Sequence, residues 1–151
     1  MSQLHFMNPT TQNSPANHYG QVAELIVNIS SKLIYTFNNA LKPYQITSQQ
    51  FAILKILSDL HPTPVTIKQI RSQMPDKMSD VSRIVEKMRV KGLVNRKINP
   101  DDRRNVDVNI TDEGKTILDQ SGKAYSDFEK HLKVLSDHEL GQLREILRKL
   151  Q

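Results

Sequence analysis

Residues 79–111 read SDVSRIVEKMRVKGLVNRKINPDDRRNVDVNIT, and the hydrophobic period changes inside this one stretch. Val81, Ile84, Val85 and Met88 recur at i, i+3, i+4 and i+7, which predicts an amphipathic helix with one apolar stripe. Ser79, Ser82, Arg83, Glu86 and Lys87 occupy its opposite, polar face. Gly92 follows Arg89 and Lys91, a pattern that stops a helix in a left-handed cap with cations near its carbonyl end. The period then drops to two: Val94, Arg96 and Ile98, and after a break Val106, Val108 and Ile110 alternating with Asp107 and Asn109. Asn99-Pro100-Asp101-Asp102-Arg103-Arg104-Asn105 joins these strands as a turn-forming tip with two adjacent arginines. A polar-faced helix feeding a two-stranded basic wing implies a protein that reads nucleic acid.

Upstream, Thr66 and Gln69 form a capping box flanked by Val65 and Ile70 as a hydrophobic staple. They open a short helix carrying Ile67, Ile70 and Met74 that stops at Pro75. Two short helices joined by a tight turn, the second with a polar outer face, predict a helix-turn-helix, winged by the strands after Gly92. Further upstream, Thr47-Ser48-Gln49-Gln50 is a second box, stapled by Ile46 and Phe51. Its helix (Phe51, Ala52, Ile53, Leu54, Ile56, Leu57, Leu60) is apolar nearly all round, so it belongs in the core. Before it, Val22, Leu25, Ile26, Ile29, Leu33, Phe37 and Leu41 keep a 3–4 spacing, predicting a long helix from about Asn17 that ends before Pro43.

Downstream, Thr111-Asp112-Glu113 caps another helix, in which Leu118, Ser121, Tyr125, Phe128, Leu132 and Leu135 form a coiled-coil-like seam. Ser136 to Glu139 is a third box, opening a last helix with Leu140, Leu143, Ile146, Leu147 and Leu150. The predicted fold is mainly α with a small two-stranded antiparallel wing (α+β). Residues 1–16 are polar and read as a flexible arm; 46–111 form the winged helix-turn-helix; 17–45 and 112–151 form a helical dimerisation region. The expectation of a two-fold homodimer comes from the three amphipathic stripes outside the small winged core, which cannot cover them all.

The bulk composition fits this reading. At 151 residues and 25% charged, the chain suits one soluble domain with a real core. Between Lys68 and Arg104 eleven basic residues stand against five acidic ones, whereas the whole chain nets only +5. The positive charge is therefore a property of the middle segment, which implies a polyanionic partner. Without cysteine there is no disulfide, thiolate metal site or thiol nucleophile. The N-terminus lacks the basic and apolar regions of a signal peptide, and Lys55 breaks the densest apolar run, so a cytoplasmic, non-membrane protein is expected. His5, His18, His61, His131 and His138 stand in no paired metal-ligand spacing. No phosphate loop or nucleophile elbow appears, so neither cofactor nor metal is expected, and no enzymatic activity.

From about Val22 to Leu150 the sequence resembles the multiple-antibiotic-resistance regulator (MarR) family of bacterial transcription factors. The likeness is densest in residues 81–88 (VSRIVEKM), in 91–96 (KGLVNR), and in Asp101-Asp102-Arg103-Arg104 followed by 108–114 (VNITDEG). The last pattern is similar to the family's Asp-x-Arg wing motif ahead of a glycine-containing helix start. The resemblance implies a homodimer on a pseudo-palindromic operator in double-stranded DNA, usually a repressor of a nearby gene. It also implies release by a small aromatic or anionic effector held between the dimer helices and the reading head. Pro75 stands where the family often has glycine and Asp76 where an apolar residue is usual. The absence of cysteine removes the family's peroxide-sensing thiol, and the ligand cluster of its zinc-sensing branch is not found.

Within that frame Ser79, Ser82 and Arg83 lie on the first half of the reading helix, the half that enters the major groove in helix-turn-helix docking. Arg83 is suited to guanine O6 and N7. Asp102 is placed to hold Arg104 as a guanidinium for the minor groove. Thr66, Lys68, Lys77, Lys87 and Arg103 are the candidate phosphate partners, Thr66 through the amide end of its helix. For Lys91 and Lys97 a phosphate contact and a plain solubilising role stay equally open. Tyr35, Tyr44, Tyr125, Phe37 and Phe128 read as helical core or as the lining of an effector pocket. A different class of function, a winged-helix module whose basic wing docks an acidic protein, predicts no DNA binding even at low salt.

Overall fold

A computed structural model describes residues 15–74, 78–99, 106–130 and 133–150. The described chain divides into two compact units, the first ending at Tyr35 and the second running from Thr36 onward. The elements are α1 (Pro15–Leu41), a 3-10 turn (Lys42–Tyr44), α2 (Ser48–Asp59), β1 (Val65–Thr66), α3 (Ile67–Gln73), α4 (Val81–Val90), β2 (Val94–Ile98), β3 (Val106–Ile110), α5 (Asp112–Glu129) and α6 (Asp137–Arg148).

All three predicted capping boxes form. Thr47 Oγ1 accepts from the Gln50 amide at 3.3 Å while the Thr47 amide donates to Gln50 Oε1 at 3.1 Å, and Thr66/Gln69 and Ser136/Glu139 repeat the exchange. Each satisfies amide donors that a helix start otherwise leaves unpaired. At Met74 the chain leaves α3 in extended conformation, ψ 139°, as the residue before a proline must. Gly92 adopts φ +73°, the left-handed conformation in which α4 ends and β2 begins.

The core of the second unit is built on α2, whose Phe51, Ile53, Leu54, Ile56 and Leu57 are all buried. The α4 stripe packs inward through Val81, Val85 and Met88, each fully buried, whereas Ile84 stays partly exposed. Ile70 and Met74 from α3, Val108 and Ile110 from β3, and Phe37 and Leu41 from the end of α1 complete it. At about 1.5–3 kcal/mol per buried large side chain, these residues supply the dominant favourable term in folding. Phe37, Phe51, Tyr125 and Phe128 pack ring on ring at centroid distances of 4.9–6.2 Å, with Lys55 Nζ 5.0 Å above the Tyr125 ring. Phe37, Tyr125 and Phe128 thus take the helical-core reading and Tyr44 packs partly against that core, whereas Tyr35 is exposed.

Four expectations require revision. The wing has a third strand: β1 pairs with β3 (Val65 opposite Val108), giving the antiparallel order β1-β3-β2. Two residues are too short to show a period, so this strand left no sequence signal. The seam helix is shorter than its spacing predicts: α5 ends at Glu129, capped by Lys130, and Leu132 lies outside the described residues. Its middle also belongs to the core, because Ser121 and Ala124 are buried and α5 packs on α2. Asp107, expected on the outward phase of β3, is buried and accepts from Asn99 Nδ2 at 2.9 and 3.1 Å, with Thr66 of the added edge strand directly beside it.

In each unit, apolar side chains remain uncovered in the single chain. Val22, Leu25, Ile26 and Ile29 are exposed on the first-unit part of α1, and Leu140, Leu143, Ile146 and Leu147 are exposed on α6. No helix among the described residues is long and apolar enough to cross a membrane.

Candidate nucleic-acid interface

α4 begins at Val81, with Asp80 as its cap: Asp80 Oδ1 accepts from the Arg83 amide at 3.1 Å. Ser82 and Arg83 follow on the exposed face, as expected of a reading helix. Ser79 does not join them. It precedes the helix, is 8% exposed, and its hydroxyl accepts from Gln49 Nε2 at 2.8 Å, tying the approach to α4 to the first turn of α2. Since Asp80 caps the helix, Ser79 lies in the lead-in segment, which turns back toward the body.

On α3, Lys68 is exposed, but the Thr66 hydroxyl is committed to its own box, accepting from the Gln69 amide and lying 2.8 Å from Gln69 Oε1. The Thr66 amide is likewise spent on Gln69 Oε1 at 2.8 Å. Lys87 is exposed on α4 and, with Thr47, Gln49, Ile84, Val90 and Lys91, borders a groove of ≈ 490 Å³ beside the start of α2. Lys91, which the sequence left open between phosphate contact and solubility, donates through Nζ to the Gln45 carbonyl, where the chain passes through φ 55°. Lys77, with Pro75 and Asp76, lies outside the described residues, and so do Asp102, Arg103 and Arg104. Among the described residues, no three His, Asp or Glu side chains converge as metal ligands.

An ion cluster joins the reading helix to the wing. Glu86 on α4 accepts a fork from Arg89 (Nη2 to Oε1, 2.8 Å; Nε to Oε1, 3.1 Å) and a second bond from Arg96 Nη1 on β2 to Oε2, 2.7 Å. Arg89 first, then Arg96, holds the Glu86 carboxyl down at about 2, well below the usual carboxylate range. Glu86 raises the Arg89 guanidinium in turn. Sequence reasoning gave this cluster no role. Arg96 shares the period-two phase of Val94 and Ile98, and the i,i+3 spacing of Glu86 and Arg89 was the available signal.

A capped helix on a helix-turn-helix frame, its outer face polar and its neighbour a β wing, defines the winged-helix class of DNA-binding proteins. The family model for the MarR family matches residues 46–106. The HTH-type transcriptional regulator MgrA of Staphylococcus aureus is 30% identical over 116 residues, covering 77% of each chain. The multiple antibiotic resistance protein MarR of Salmonella typhimurium is 30% identical over 132 residues, 85% of this chain and 90% of that protein. A mutant MarR from E. coli, solved with operator DNA, superposes with a TM-score of 0.78 at 26% identity, over 91% of this chain and 99% of that one. The chain belongs to the MarR family of transcriptional regulators, which bind DNA.

Proposed function

We propose that the protein is a cytoplasmic homodimeric repressor of a nearby gene, without enzymatic activity. It binds a pseudo-palindromic operator and is released by a small aromatic or anionic effector. The observation that carries DNA reading is α4 itself: Val81, Val85 and Met88 are fully buried beneath it while Ser82 and Arg83 project outward. A helix anchored this firmly holds its outer side chains at fixed positions, as base readout requires. Dimerisation is supported by the uncovered apolar faces of α1 and α6, of a kind monomers rarely leave in water. In such a dimer two reading heads meet half-sites about one helical turn apart, roughly 34–36 Å. The sign of regulation and effector release rest on the family.

The test is selection of duplexes from a random pool by the purified protein, followed by a salt titration on the selected site. A two-fold site and a steep negative slope of log K against log salt are expected. Arg83→Ala should relax the preference at one position per half-site, a loss of about 1–3 kcal/mol of discrimination. Absence of duplex binding at low salt would refute the reading and favour docking of an acidic protein. Sedimentation as a monomer at micromolar concentration would refute the dimer.

A further inference from the structure

We propose that Arg89, Arg96 and Lys97 form a seat for one backbone phosphate of duplex DNA at the seam between reading helix and wing, with Glu86 as its positioning residue. The proposal rests on the DNA-binding reading above and adds a contact beyond those of Ser82, Arg83 and the wing motif.

A helix in a major groove and a hairpin tip in the adjacent minor groove straddle the strand of phosphates that separates those grooves. Protein surface between α4 and the wing therefore faces that strand. In this structure the surface is a groove of ≈ 260 Å³ lined by Arg89, Arg96, Lys97, Ile98 and Val106. Ile98 and Val106 pair across β2 and β3 at the last rung before the tip, so the groove lies on the side from which the wing descends. Glu86 is four residues beyond Ser82 and Arg89 three further, so the cluster continues the face that carries Ser82.

The charges are arranged for an anion. Arg89 and Arg96 share the Glu86 carboxylate and Lys97 also lines the groove, so three cations stand against one acid over an apolar floor. Glu86 occupies Nε and Nη2 of Arg89 and Nη1 of Arg96 and is not itself among the lining residues. Nη1 of Arg89, and Nε and Nη2 of Arg96, keep hydrogens with no partner among the described residues. Guanidiniums held in this way offer planar donors to phosphate oxygens without first having to be ordered. An exposed i,i+3 pair alone is ordinary helix surface. The reach of Arg96 from another element, with its side chain only 28% exposed, is what ordinary surface does not explain.

The full-length protein is titrated with salt on its selected duplex and on a random duplex, by fluorescence anisotropy. Lys97→Ala and Arg96→Gln should each flatten the slope of log K against log salt by about one and weaken both duplexes about equally, leaving base preference intact. Glu86→Gln should leave the slope unchanged and weaken binding about three- to tenfold, because it frees both guanidiniums without removing a phosphate contact. Thermal melts control for folding, and if Arg96→Gln melts early, the exposed Arg89→Gln replaces it. Unchanged slopes in the arginine and lysine variants, or tighter binding by Glu86→Gln, would overturn the seat while leaving the parent's DNA binding intact. If the parent binds no duplex at low salt, the DNA-binding reading itself fails and the seat fails with it.

Discussion

Gly114 stands in the first turn of α5, where most residues stabilise a helix better than glycine does. An added Cβ would lie 2.2 Å from the Leu93 carbonyl oxygen and 2.9 Å from Ile110 Cγ1, more than 1 Å inside ordinary contact with the backbone oxygen. The obstacle is backbone, and that oxygen also accepts from the Thr111 amide at 3.1 Å. Relief requires α5 to move off β2. The move costs the Thr111–Leu93 bond and strains the cap, where Thr111 Oγ1 accepts from the Gly114 amide at 3.0 Å and donates to the Gly92 carbonyl at 2.7 Å. Two or three hydrogen bonds at about 1 kcal/mol each, with repacking around Ile110 of about 1–2, outweigh the gain of about 1 from replacing a helical glycine. Gly114→Ala should therefore destabilise by about 2–4 kcal/mol, a fall in melting temperature of roughly 4–16 °C. Urea unfolding followed by circular dichroism measures it, with Gly122→Ala as the control. Gly122 lies exposed in the same helix with no atom within 4 Å of its virtual Cβ, so its alanine variant should gain stability. A Gly114→Ala protein at least as stable as its parent would refute the close approach of α5 to Leu93.

Three further outcomes are expected. In an NMR titration of side-chain carboxyls, Glu86 should titrate near 2 and not near 4.5, and Arg96→Gln should move its midpoint upward. Because the folded value is depressed, the stabilisation it reports is fully present above the ordinary carboxylate range, declines as pH falls below about 4.5 and is gone once pH has passed below about 2; a midpoint near 4.5 in the parent would refute the cluster. Thr47→Ala removes the acceptor for the Gln50 amide and should lower stability by about 1 kcal/mol in urea unfolding, an unchanged midpoint being the contrary result. Arg104→Ala should weaken operator binding strongly with almost no change in melting temperature; equal binding by variant and parent would remove the minor-groove role.

The sequence was most legible where one local signal decides the structure. The boxes at Thr47, Thr66 and Ser136 each need only four residues, and the α4 stripe only eight, so periodicity and capping chemistry located them. What escaped reading depends on partners distant in the chain. Ser79 looked like part of an exposed helical face because nothing local reveals that Gln49, thirty residues earlier, donates to it. Asp107 followed the alternation of β3, but it is buried beside Thr66 of β1, forty residues upstream in a strand two residues long. Arg96 sat in an apolar phase and turned out to be the wing's tie to Glu86. Among the candidate site residues, Ser82, Arg83, Lys68 and Lys87 are exposed as a docking surface requires, whereas the Thr66 hydroxyl is occupied by its own cap.

The ring cluster also gives the protein an intrinsic optical probe. There is no tryptophan and there are four tyrosines. Tyr19 and Tyr35 are exposed, whereas Tyr125 is stacked on Phe51 at 5.4 Å with an interplanar angle of 16° and a lysine ammonium above it. A tyrosine fixed in so asymmetric a setting contributes strongly to near-ultraviolet circular dichroism, beside the half-buried Tyr44 in the turn after α1, while solvent-averaged ones contribute little. That band therefore reports how the end of α1, α2 and α5 pack together. Loss of the band before far-ultraviolet ellipticity would mark loosening of that junction while the helices remain formed.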